Sequence, residues 1–101
     1  MKLNYRGCAI CDSTWGDIRE EVDGTRLFFC CPICAIQFRH LVERVKASTG
    51  WDRIDALEIA GDRRGRACVA TRGDREFRFE IAFNSDGEVR RFRPAPERVP
   101  G

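Results

Sequence analysis

Two clusters of cysteine constrain this chain more than anything else in it: Cys8-x2-Cys11, then eighteen residues, then Cys30-Cys31-x2-Cys34. Two short cysteine pairs bring four sulfurs together at small loop-closure cost, and structural zinc takes four ligands in a tetrahedron at about 2.3 Å from each sulfur. The same six-cysteine content also suits a disulfide framework, and the compartment decides between the two. The amino terminus, Met1 to Arg6, lacks the apolar stretch of a secretory signal, and no apolar run approaches the roughly 18 residues of a membrane span. The expected location is therefore the reducing cytoplasm, away from membranes, where thiols stay available to metal. The expected ion is Zn²⁺.

At 101 residues the chain is long enough for one domain, 1–101, and too short for two independent cores. Apolar residues make up 43% and charged residues 34%, the balance of a globular protein with a densely charged exterior. The formal charge of +2 is too small to imply a nucleic-acid partner by itself.

Gly7 to Gly16 is turn-like and carries Cys8 and Cys11, so it reads as a knuckle, with Asp12, Ser13 and Thr14 as turn formers. Ile18 to Val22 and Thr25 to Phe29 flank Asp23-Gly24, the dipeptide of a two-residue hairpin turn. That turn sets Val22 opposite Thr25, Glu21 opposite Arg26 and Ile18 opposite Phe29. The second strand runs into Cys30-Cys31-Pro32-Ile33-Cys34, and Pro32 suits a first helical turn because the amide hydrogen it lacks would have no partner there. From Cys34, the residues Phe38, Leu41, Val42 and Val45 form one apolar helical stripe, ending near Ser48 to Gly50. The helix amino terminus is expected to stabilise a Cys34 thiolate.

Beyond Trp51 the period becomes two. Leu57 and Ile59 mark one strand, Cys68 and Ala70 (or Ala67 and Val69) a second, and Phe77, Phe79, Ile81 and Phe83 the clearest one. After a turn at Asn84-Ser85-Asp86-Gly87, a weaker strand covers Val89 to Arg93, and Pro94, Pro96 and Pro100 mark a tail. The expected fold is α+β: an amino-terminal zinc finger of knuckle, β-hairpin and helix (7–47), with the helix packed on a carboxy-terminal antiparallel β-meander (52–93), and a tail (94–101).

Spacing leaves the second ligand pair open, since Cys30 with Cys34 is an x3 pair and Cys31 with Cys34 the commoner x2 pair. The knuckle, hairpin and ligand-bearing helix form a treble-clef arrangement. The run Leu27-Phe28-Phe29-Cys30-Cys31-Pro32-Ile33-Cys34-Ala35-Ile36-Gln37-Phe38 resembles the TRASH and YHS families, which carry aromatic-Phe-Cys-x3-Cys-x3-Phe with a cysteine about twenty residues upstream. Phe29, Cys30, Cys34, Phe38 and Cys8 stand in those places, over residues 7–47. The resemblance implies a metal-binding module and favours Cys30 with Cys34 as the second pair; with the Cys8-x2-Cys11 pair given by spacing, the expected ligands are Cys8, Cys11, Cys30 and Cys34, with Cys31 as an alternate. It also implies heavy-metal sensing or trafficking, of copper or zinc. The additional Cys11 and Cys31 depart from the family pattern and favour a closed, structural site over an open transfer site.

The remaining candidates have plainer readings. Cys31 is a small buried apolar residue, a thiol swapping with Cys30, or a reactive one, and Cys68 is a core residue. His40 lies six positions past Cys34, about 240° around the helix, and reads as a surface residue facing away from the metal side. Trp15 and Trp51 close a small core. The arginines Arg63, Arg64, Arg66, Arg90, Arg91 and Arg93 sit at strand ends, where together they make either a basic patch for phosphates or a solvated face balanced by Asp and Glu. No nucleophile, base and orienter set is visible, so the expected function is non-enzymatic: an interaction or regulatory module whose partner is a protein rather than a nucleic acid. A redox enzyme using Cys30 or Cys31 has only the doubled cysteine in its favour. The sequence does not specify an oligomeric state.

Overall fold

In a computed structural model of the chain, the residues described are 2–4, 7–11, 14, 16, 18–22, 24–62 and 64–95. Readings that fall on Asp12, Ser13, Trp15, Asp23, Arg63, Pro96 and Pro100 lie outside them. The elements run β1 (Lys2–Leu3), β2 (Ile18–Val22), β3 (Thr25–Phe29), α1 (Pro32–Thr49), β4 (Ala56–Asp62), β5 (Gly65–Arg72), β6 (Arg75–Phe83) and β7 (Val89–Pro94). One helix, a β2-β3 hairpin and a five-stranded sheet of order β1-β4-β5-β6-β7 make an α+β architecture.

The hairpin pairs Ile18 with Phe29, Glu21 with Arg26 and Val22 with Thr25, the register that a two-residue turn dictates. Its inward face carries Leu27 and Phe29, both buried. Glu20 shares that face opposite Leu27 and reaches Arg39 of α1 at 3.2 Å. On the other face Arg19 lies over the Phe28 ring at 5.7 Å from its centroid.

The helix buries Cys34, Ala35, Phe38, Leu41, Val42 and Val45, and stops where Gly50 turns left-handed and donates its N–H to the Lys46 carbonyl at 2.8 Å. From β4 to β7 the sheet is an antiparallel meander whose core face holds Leu57, Ile59, Cys68, Ala70, Phe79 and Ile81. These residues and those of α1, β3 and the knuckle belong to one buried cluster. Phe77, Phe79 and Phe92 extend it as an aromatic ladder, with centroids 5.3 to 6.3 Å apart.

Three features differ from the sequence reading. The sheet is not purely antiparallel, because β1 joins β4 in parallel, with Lys2 opposite Ala56 and Leu3 opposite Leu57. The Asn4 side chain prolongs that pairing by accepting from the Ile59 amide and donating to the Ile59 carbonyl, both at 3.1 Å. Pro94 belongs to β7 rather than to a tail, and the Ala95 amide donates to the Arg78 carbonyl at 2.8 Å. His40 is half-buried rather than a surface residue: its Nδ1–H donates to the Gly87 carbonyl at 2.7 Å, because the turn between β6 and β7 folds back onto the helix. Among the described residues no helix is long and apolar enough to cross a membrane.

Candidate metal centre

Three segments meet at the site. The knuckle brings Cys8 and Cys11, the end of β3 brings Cys30, and the first turn of α1 brings Cys34. The knuckle is tied to the hairpin by the Ala9 amide, which donates to the Phe28 carbonyl at 2.9 Å, while Ala9 and Ile10 are themselves buried. On its far side Gly16, at φ 95°, presses its backbone against that of Cys30 so closely that a Cβ would collide with the Cys30 carbonyl. Only glycine combines that positive φ with that approach.

Ladder pairing ends at Phe29, and this settles how Cys30 is directed. Strict alternation would send Cys30 to the face opposite Phe29. The chain bends at Cys30 and Cys31 instead, and the Cys30 sulfur turns inward, where it is 7% exposed. The Sγ atoms of Cys8, Cys11, Cys30 and Cys34 all lie within 4.8 Å of one another. Cys11 and Cys30 are 3.3 Å apart, and Cys30 and Cys34 are 3.5 Å apart. A tetrahedron of sulfurs about 2.3 Å from a central ion has edges of roughly 3.8 Å, so the four atoms fit one ion after shifts of a few tenths of an ångström to about one. Cys8, Cys30 and Cys34 are buried and Cys11 is exposed.

The electrostatics of the group follow from crowding. The Cys8 thiol is pulled down from 9.0 to about 4, first by the hydrogen bond that Cys34 donates to it, with backbone amides of the knuckle and of Cys30 adding to this. Cys34 is pushed up, first by that same bond and then by burial. Cys30 rises to about 12 through burial and its contact with Cys11. One sulfur ionises readily and its neighbours resist, since adjacent thiolates repel. A divalent cation at the centre would take the place of the protons and remove that repulsion, so the four thiols could hold a metal ion.

Cys31 lies outside this group. It sits half-exposed at the helix N-cap, where the Cys34 backbone amide lowers its thiol pKa. Cys68 is buried in the core face of β5, its thiol raised to about 12 by burial. No disulfide joins any of the six cysteines. Trp51 packs half-buried against the core. The arginines divide: Arg66 is buried on the core face, whereas Arg64, Arg90, Arg91 and Arg93 are exposed.

A family model named Ta0938 matches residues 5–95, and the chain belongs to that family. No curated protein and no solved structure matches the chain.

Proposed function

We propose that this member of the Ta0938 family is a small zinc-binding protein whose ion is held by Cys8, Cys11, Cys30 and Cys34 in a treble-clef site, and that it serves without catalysis as an interaction or regulatory module. One observation carries the reading: four thiol sulfurs from two stretches of chain, separated by a whole hairpin, lie mutually within 4.8 Å. Four sulfurs complete a tetrahedron and leave no open position for a substrate, which supports a structural role over a catalytic one. When bound, the ion supplies a fixed tetrahedral crosslink between knuckle, hairpin and helix.

The chain's own residues prepare that crosslink. Ala9 holds the knuckle to β3, Gly16 allows it to close on Cys30, and the Phe29 and Phe38 rings, 5.5 Å apart, pin the ligand-bearing turn to the core. The likeness to TRASH and YHS proteins draws support from that same packing, because the aromatic residues around Cys30 and Cys34 in the motif are the ones in contact. A sensor or trafficking role for copper or zinc is the second reading. It draws on the exposure of Cys11 beside three buried sulfurs, which gives a competing thiol one point of entry.

Elemental analysis of protein purified under reducing conditions tests the proposal, with one Zn²⁺ per chain as the expected result. Co²⁺ substitution should give the intense absorption of tetrahedral thiolate coordination, weakened by Cys8→Ser or Cys34→Ser and retained by Cys31→Ser. A metal-free, fully folded, reduced chain overturns it. Release to a chelator within minutes and without loss of fold favours the sensor reading over the structural one.

A further inference from the structure

Strand β6 and the edge strand β7 do not pair in simple register. Ala82 faces Arg91 and Phe83 faces Val89, which leaves Arg90 as an extra residue in β7. In a regular strand neighbouring side chains point to opposite faces, and a bulge re-aims one of them. The consequence here is convergence: Arg90 and Arg91 each place Nη2 3.5 Å from the carbonyl oxygen of Arg64. To reach it, Arg91 crosses β6 on the face away from the core, passing Ala82, which is only 2% exposed. It arrives where a Cβ on Gly65 would stand 3.1 Å from its Nη2. Small residues at 65 and 82 thus form the floor on which the guanidinium lies.

The two guanidinium nitrogens are at most twice 3.5 Å apart, yet they share one neutral acceptor. Like charges so placed repel, and an anion bound between them relieves that repulsion. Arg93, two residues further along β7, continues the same face next to Glu80 of β6, and exposed Arg64 stands at the turn between β4 and β5.

We propose that this corner, formed by Arg64, Arg90, Arg91 and Arg93, binds the phosphodiester backbone of a nucleic acid. The inference names a partner for the interaction module proposed above and rests on that reading, although it uses none of the cysteines. Guanidinium forks match phosphate oxygens in geometry and charge. The arginines lie on an open sheet surface rather than in a cavity, and the groove between hairpin and helix is elsewhere and carries Glu21 and Glu43. An open row of cations suits a polymer that runs along it, whereas a small phosphate compound needs enclosure. Of the glutamates on the same face, Glu80 stands opposite Arg93, while Glu58 and Glu76 lie in rows further from Arg90 and Arg91.

Fluorescence anisotropy of the zinc-loaded full chain with a labelled DNA duplex and a labelled single-stranded RNA, over a salt series and with polyglutamate as competitor, tests the proposal. Zinc content and a melting curve are recorded on the same sample. The expected result is binding at low salt that weakens as salt rises. Arg90→Gln/Arg91→Gln should lose about tenfold or more in affinity and flatten the log–log salt slope on duplex DNA by about 1.8, since each phosphate contact contributes about 0.9. Arg44→Gln, exposed on α1, should leave both unchanged. Should the double variant melt early, Arg93→Gln gives the same reading with a slope change of about 0.9. No binding to either nucleic acid at low salt, an unchanged slope in the variants, or displacement by polyglutamate at equal charge overturns the inference. A loaded chain that fails to bind leaves the metal reading intact, and a metal-free chain that binds with the expected slope does the reverse.

Discussion

Replacing Gly87 by alanine should destabilise the fold strongly, by way of a contact between the β6-β7 turn and the helix that bears Cys34. Gly87 is buried at φ 92°, and a Cβ there would stand 2.7 Å from Cγ2 and 3.1 Å from Cβ of Ile36. Two independent costs follow: left-handed backbone at a residue with a Cβ costs about 1–2 kcal/mol, and overpacking adds about 1–3 kcal/mol. Taking roughly 2.1 cal/mol/K per residue for the unfolding entropy, a chain this long loses about 5 °C in Tm per kcal/mol, so the expected fall is about 10–25 °C. Calorimetry of Gly87→Ala, Ile36→Ala and the double variant separates the two costs. Removing the Ile36 branch should recover the steric part, giving a coupling of about 1–3 kcal/mol, and leave the backbone part unrelieved. A Gly87→Ala protein that melts like wild type, or a double variant with purely additive losses, would refute the argument.

Further outcomes follow from the same structure. Burial raises the Cys68 thiol to about 12 from 9.0, so the folded chain keeps a proton there that the unfolded chain releases above pH 9. Stability is thus lost as pH rises through that window, by up to about 1.4 kcal/mol per pH unit, and urea titrations of Cys68→Val should show a correspondingly flatter alkaline decline. Phe38→Ala removes a fully buried ring that packs on Phe29; a loss of about 3–5 kcal/mol is expected in chemical denaturation. Asn4→Ala deletes both side-chain bonds to Ile59. It should cost about 1–2 kcal/mol or less given the exposure of Asn4, with faster amide exchange at Ile59 as its local signature.

How far the sequence reaches depends on whether a signal is local. The hairpin register is legible because Asp23-Gly24 fixes the turn and Glu21 and Arg26 confirm the pairing, all within a dozen residues. The helical stripe is legible for the same reason. The choice between Cys30 and Cys31 is not, because it turns on the residue at which the strand stops, and the bend after Phe29 lies where Gly16, distant in sequence, comes close to the Cys30 backbone. The two residues of β1 carry no periodicity, and what fixes them is an amide fifty-five positions away from its partner at Ile59. His40 illustrates a related failure: facing away from the metal side of a helix is not the same as facing water when a distant turn returns to cover it. Arg66 reads with Arg63 and Arg64 as one basic run, yet strand alternation sends it to the core face with Cys68 and Ala70.

The four-cysteine cluster and the apolar core form one structure. Cys8, Cys30 and Cys34 belong to the same buried cluster as Phe38, Leu57 and Ile59, so an ion that fixes the first three also fixes the helix that covers the sheet. Structural zinc contributes about 10–16 kcal/mol in small domains, against a total stability of about 5–15 kcal/mol for an ordinary one; loss of the ion should therefore cost the whole fold and not the knuckle alone. The same packing limits how an ion can leave. Ala9 and Ile10 are buried and the Ala9 amide holds the knuckle to β3, so Cys8 cannot swing away while the core is intact. Cys11 is the one exposed sulfur, and ligand exchange has to begin there. With three sulfurs still in place, exchange at Cys11 hands the ion to a competitor only when the competitor also displaces buried thiolates, and that step requires the core to open. On the proposed zinc reading, slow release coupled to unfolding is the outcome expected from where Cys8, Cys30 and Cys34 sit, and fast release from a folded chain would require a knuckle detached from the hairpin.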